Sequence, residues 1–354
     1  MKLHIFIIFI LAGLFISSCS HSNVKKGKTN YYKVFPSPPD TARIQFLTSI
    51  SNSIDVTGGR SGFMKYIVGE EEKLPITKPY GITSRKGKIY ICDTMLGGLE
   101  IINLKEKTFE YFIPKGKGIL KKPINCFVDL NGYLYVADSE RHQVVKFDVN
   151  GNYINAYGDP NSIKPTDVFV HDDKIYVTDV QNHMIKVFSS SQSIPVYDFP
   201  KVLQQSPEYL YSPVNIFVHE EKIYVSDIGD ARIKIFDLNG KYINSVGSYG
   251  KQVGQFVRPK GIAVDKSDIL YVTDAGFENV QMFNPDGKLL MYFGGKYKEP
   301  GDMWLPAKIA LDYDNLEYFR HYVDKDFDLK YLIYVTNQYG PDKINVYGYV
   351  EQKQ

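Results

Sequence analysis

One short phrase returns six times along the chain: two apolar residues enclosing a tyrosine, then a small residue, then an aspartate or its amide. It reads Ile89-Tyr90-Ile91-Cys92-Asp93, Leu134-Tyr135-Val136-Ala137-Asp138 and Ile175-Tyr176-Val177-Thr178-Asp179. It continues as Ile223-Tyr224-Val225-Ser226-Asp227, Leu270-Tyr271-Val272-Thr273-Asp274 and Ile333-Tyr334-Val335-Thr336-Asn337. Successive tyrosines are 45, 41, 48, 47 and 63 residues apart. Aromatic and β-branched residues in alternation favour strands. A strand unit of this length cannot bury its two faces alone, so copies must stack on one another. A period of about 40–50 residues built from strands predicts a propeller. Six copies predict six blades and an all-β fold.

Each copy divides into four strands. In the fifth they are Gly261 to Asp265 after Pro259, Ile269 to Asp274, Asn279 to Phe283, and Lys288 to Phe293. Turn-forming residues separate them, such as Pro285-Asp286-Gly287. The sixth copy is one strand short, whereas Arg43 to Ile50 is an orphan strand ahead of the first. We therefore expect residues 43–50 to pair with 343–350 as the outer strand of the last blade, which removes an exposed edge and ties the termini together. The sixth copy also carries an insertion, Tyr313 to Lys330, expected to be a packed loop, a short helix or a flap.

The copies resemble the NHL repeat. Pro259-Lys260-Gly261-Ile262-Ala263-Val264-Asp265, Tyr135-Val136-Ala137-Asp138 and Asn182-His183-Met184-Ile185-Lys186-Val187-Phe188 match its consecutive elements, over residues 79 to 350. The resemblance implies a six-bladed propeller in which the aspartates cap turns and His142 and His183 are interblade hydrogen-bond partners.

The chain begins with an apolar run, Leu3 to Ile16, that is too short to span a bilayer comfortably. It ends in Ile16-Ser17-Ser18-Cys19, which resembles a bacterial lipobox and implies cleavage before an acylated Cys19. Acyl chains hold a protein to a membrane at about 0.8 kcal/mol per buried methylene. By analogy with sorting in that class, Ser20 favours the outer membrane, facing the periplasm. The expected organisation is a signal peptide over 1–18, a lipidated flexible tether over 19–41 containing Lys25, Lys26, Lys28 and Lys33, and the propeller over 42–354.

The formal charge of +2 implies neither nucleic acid nor an acidic polymer as partner. Cys92 stands in the repeat's small slot and Cys126 in an aliphatic one, so both read as core residues, although an exported compartment tolerates disulfides. No nucleophile elbow, phosphate loop or C-x-x-C motif is present.

The starts of the blades offer candidate chemistry. Amidating lyases, which resemble this family, place zinc-binding histidines just after the blade's proline. Here those positions hold Tyr80, Ile124, Thr166, Val214, Lys260 and Ala307, so that zinc design is absent. One residue further on, glycine is kept at Gly81 and Gly261 but becomes Asn125, Asp167 and Asn215 in three consecutive blades. Three side-chain oxygens at a channel mouth would suit a cation such as Ca²⁺ and distantly resemble the metal set of propeller lactonases. The plainer reading is polar lining of the channel. His171 and His219 share a hairpin-turn position in neighbouring blades, and neither shows a third ligand for a metal.

Two functions are compatible with this pattern. One is a membrane-anchored, extracytoplasmic binding scaffold for another envelope protein, a peptide or a glycan, acting as a monomeric propeller. Its contact loops would carry Tyr209, Tyr211, Tyr249, Arg258, Tyr297 and Trp304, residue types that dominate recognition surfaces. The other is a calcium-assisted hydrolase or lactonase at the channel mouth.

Overall fold

The computed structural model describes residues 33 to 353, except Ser61. It forms six antiparallel sheets arranged as the blades of a propeller. Blade one runs Pro79–Arg85, Lys88–Asp93, Gly98–Asn103, Thr108–Phe112. Blades two to five repeat the plan from Pro123–Val128, Pro165–His171, Pro213–His219 and Pro259–Val264. Every inner strand opens on proline, which costs no ladder hydrogen bond at a first residue. The register then shifts in all six, as between Pro123 and Asn125 or Pro165 and Asp167. A bulge at that point redirects the following side chain.

The sixth blade is completed by the N-terminal strand. Pro306–Asp312, Phe327–Asn337 and Ile344–Gln352 are followed in space by Ile44–Ile50, paired from Ile44 opposite Tyr349 to Ile50 opposite Ile344. A fifth strand, Val34–Phe35, adds to the outside of it. The segment expected to be free tether therefore joins the blade from Val34 onward. Lys33, counted with the tether lysines, is three-quarters or more enclosed and bonds Asp302 at 2.7 Å and Glu299 at 3.1 Å. Attraction to that acidic loop fixes the chain before the blade begins. Cys19 and the signal segment lie outside the described residues.

The repeat tyrosines pack between sheets. Tyr135, Tyr176, Tyr224, Tyr271 and Tyr334 are buried and Tyr90 is half-buried. The aspartates of the phrase staple each blade to the loop that precedes it: Asp93 Oδ2 accepts the N–H groups of Thr77 and Lys78, and Asp138 those of Lys121 and Lys122. Asn337 accepts the Trp304 N–H with its side-chain oxygen, so the amide keeps the capping role. His142 and His183 reach the carbonyls of Ile163 and Tyr211 in the loops leading into the next blade. Cys92 and Cys126 are free thiols in one apolar cluster.

The insertion is a packed clasp. It holds a short helix, Leu316–Phe319, and a 3-10 turn, Arg320–Tyr322. Asn315 Oδ1 accepts the Gly87 N–H of blade one at 2.7 Å. Gln45 Nε2 donates to the Tyr322 carbonyl, and Gln45 Oε1 accepts from Asp324 N–H. Residues 327–330, expected within the insertion, extend the second strand instead because the last strand is long enough to pair with them, Phe327 opposite Gln352.

Candidate functional site

The six inner strands surround an axis, and the bulge after each proline sets what meets there. Gly81 and Gly261 stay glycine for lack of room: a Cβ at Gly81 would lie 2.5 Å from the Asn125 Cα, and one at Gly261 would lie 2.6 Å from the Lys308 Cα. Asn125, Asp167 and Asn215 are fully buried. The structure gathers two of them with a residue the sequence reading passed over. Lys308, from the same slot of blade six, bonds the Asp167 carboxylate and donates to Asn215 Oδ1 at 3.1 Å. Asp167 also accepts the N–H groups of Val168 and Ile216. Asn125 instead donates to the Thr166 carbonyl at 2.7 Å.

This corrects the expected cation set. The charge that Asp167 requires comes from the protein's own ammonium, and Asn125 stands apart, its amide nitrogen bonded to the neighbouring strand and its oxygen buried beside Gly81 without a partner. A Ca²⁺ ion at these residues would have to displace a buried lysine, so they do not fit the ion. Burial pushes the Asp167 carboxyl up, and Lys308 opposes that rise. The missed signal was simple: in blade six the residue two after Pro306 is Lys308, the one cationic side chain in a slot otherwise filled by glycine, amides and Asp167.

Above this group, at the upper mouth, Lys260 stands over the Tyr80 ring at 4.9 Å. Burial, with Arg258 and Lys78 nearby, lowers Lys260 to about 8. Burial and the Asp167 charge push the Tyr80 phenol up.

The loop aromatics fall into two groups. Tyr209 and Tyr211 anchor their own loop: their rings meet at 4.9 Å, Tyr209 stacks on His183, and the Tyr211 hydroxyl donates to the Gln204 carbonyl. Lys234, wholly buried and paired with Asp227 at 3.2 Å, binds the Tyr209 carbonyl. Trp304, half exposed, forms a different kind of feature. It stacks on Tyr297 at 6.3 Å and its carbonyl meets the N–H of Tyr339, a residue 46 % exposed whose ring lies under Lys78. Tyr249 is 70 % exposed, and Arg258 is exposed beside the upper mouth. The expected contact residues are thus partly structural and partly presented to solvent.

The opposite end of the axis is open. A cavity of about 260 Å³ below Lys308 shares Arg85, Phe127, Val128 and Phe169 as walls with one of about 410 Å³ at the lower mouth. His171 and His219 line the latter. They do not converge on one ion. His219 lies instead 3.3 Å from Asp268, and His219, Glu220 and Asp268 place donor atoms within 4.8 Å of one another. Among the described residues this is the cluster whose donors could reach one divalent ion.

The fold and this geometry define a six-bladed β-propeller with a filled upper axis. A domain family described as a 6-bladed beta-propeller matches residues 203–354. No curated protein matches the sequence. Among solved structures, the chain is similar to a protein of unknown function from Bacteroides thetaiotaomicron, 15 % identical with a TM-score of 0.61 over 87 % of this chain and 76 % of that one. It is similar to a virginiamycin B lyase from Staphylococcus aureus, 16 % identical, TM-score 0.51, over 76 % and 84 % of the two chains. It is also similar to a gluconolactonase from Xanthomonas campestris, 15 % identical, TM-score 0.52, over 89 % and 91 %. At such identities the likeness is one of fold.

Proposed function

We propose that this propeller is a non-catalytic binding module of the bacterial envelope, anchored through acylated Cys19 to the outer membrane and facing the periplasm. Its partner is another envelope protein, docked on the upper face as a monomeric propeller presents it. The observation that carries this reading is the surface formed by Trp304, Tyr297 and Tyr339 under Lys78. Large rigid rings next to a cation are what hot spots are made of. Lys78, Arg258 and Lys260 give the same rim a positive character, so the docked surface is expected to be acidic. The alternative, a calcium-assisted hydrolase or lactonase at the channel mouth, has the Lys308 ammonium against it.

Cross-linking in the native membrane tests the proposal. The chain carrying Trp304→Ala and Tyr339→Ala should lose a cross-linked partner that the wild type and a Tyr249→Ala variant both retain. A partner retained by all three variants would locate binding elsewhere. Cys19→Ala should release the chain from the membrane fraction, and continued sedimentation with membranes would refute the anchor.

A further inference from the structure

The lower half of the axis is built asymmetrically. Opposite the repeat tyrosine, each inner strand carries one residue in an equivalent slot. In blades two, three and four it is Phe127, Phe169 and Phe217; in blades five, six and one it is Ala263, Ala310 and Thr83. The three phenylalanines form a continuous arc, with ring centroids 4.4 Å and 4.9 Å apart, and each remains half exposed. Facing Thr83 and Ala310, they wall the smaller chamber, about 260 Å³, rather than fill it. Phe127 and Phe169 also line the larger chamber, about 410 Å³, which falls in the size range of small-molecule sites.

Two positions further along, the lower rim carries Arg85, Asp129, His171, His219, Asp265 and Asp312. The three aspartates are consumed locally. Asp129 accepts the N–H groups of Asn131 and Tyr133, Asp265 accepts from Ser267, Ile269 and the Tyr331 hydroxyl, and Asp312 accepts from Asp314 and Asn315. Each closes the turn of its own blade. Arg85 has no such employment. Its Nε is shielded from solvent without a hydrogen-bond partner, and the guanidinium makes no ion pair among the described residues. It lines both chambers. A shielded, unpaired guanidinium edge is a strong and directional site for a carboxylate.

We infer that this chamber binds a small aromatic monocarboxylate, its ring against Phe127 and Phe169 and its carboxylate on the Arg85 guanidinium. The exposed carboxylates of Asp172 and Glu220 at the outer edge disfavour anions of higher charge. The site sits at the far end of the inner strands from Trp304, so it stands or falls independently of docking on the upper face.

Calorimetric titration of the full chain with benzoate, benzamide and inorganic phosphate tests this. Benzoate should bind one site per chain with a Kd of about 1 mM or tighter. Benzamide, which keeps the ring and loses the charge, and phosphate, which keeps charge and loses the ring, should each bind at least tenfold more weakly. Arg85→Met should weaken benzoate at least tenfold while melting like the wild type, and Phe169→Leu should weaken it without abolishing the fold. Absence of saturable benzoate binding would overturn the inference. So would binding that survives Arg85→Met, or equal affinity for benzamide or phosphate.

Discussion

The two ends of the axis contain similar ingredients and use them oppositely. At the upper level a buried cation, Lys308, meets a buried anion, Asp167, and an amide, Asn215. At the lower level the rim aspartates Asp129, Asp265 and Asp312 are spent on turns, and the cation, Arg85, is left over. The difference follows from position. Residues just after the proline sit beyond a bulge, where side chains are forced together and buried. Residues at the hairpin end sit beside turns whose open N–H groups claim any carboxylate within reach. The upper level therefore contributes to stability, whereas the lower level remains available to a ligand.

The largest effect should come from breaking the upper group. Lys308→Met leaves Asp167 buried without its counter-charge and should cost about 3–5 kcal/mol in chemical denaturation. Phe169→Ala, which removes the middle ring of the lower arc, should cost on the order of 2 kcal/mol, less than a fully buried ring because it already faces a cavity. At the upper mouth the sign reverses. Lys260 titrates at about 8 in the fold and in the ordinary lysine range when unfolded. The unfolded chain thus binds more protons between those values, and stability should rise as pH goes from 8 toward 10.5. Lys260→Met should abolish that rise and stabilise the protein at pH 7 by about 2 kcal/mol. Smallest of all, Arg85→Met should change stability by less than about 0.5 kcal/mol, because nothing in the fold depends on its charge. A loss there comparable with that of Lys308→Met would erase the contrast between the two ends.

The blade count, the strand plan, the capping role of the repeat aspartates and the closure of the ring were legible in the sequence. They rest on period-two alternation, turn residues and an orphan strand, all local or counted signals. The candidate site was legible only in part. Asn125, Asp167 and Asn215 were recognisable as polar substitutions in one slot, yet which of them meet was decided by blade six, the most divergent copy, where an insertion lengthens the spacing. Tracking the same slot to Lys308 would have supplied the missing partner. Arg85 could not be read this way. Its significance lies in what its neighbours already bond, and such satisfaction is a property of packing. The loop aromatics show the same limit: Tyr211 and Trp304 look alike in sequence and both reach the surface, but the Tyr211 hydroxyl is tied to the carbonyl of Gln204 in its own loop.

A double-mutant cycle across the upper axis addresses the central claim, that an internal ion pair closes it. Unfolding free energies of the wild type, Lys308→Met, Asp167→Asn and the double variant give the coupling directly. A coupling of at least about 1.5 kcal/mol, with the double variant more stable than Lys308→Met alone, is expected. Additivity of the two substitutions within about 0.5 kcal/mol would contradict it and reopen the axis as a place for an external ion.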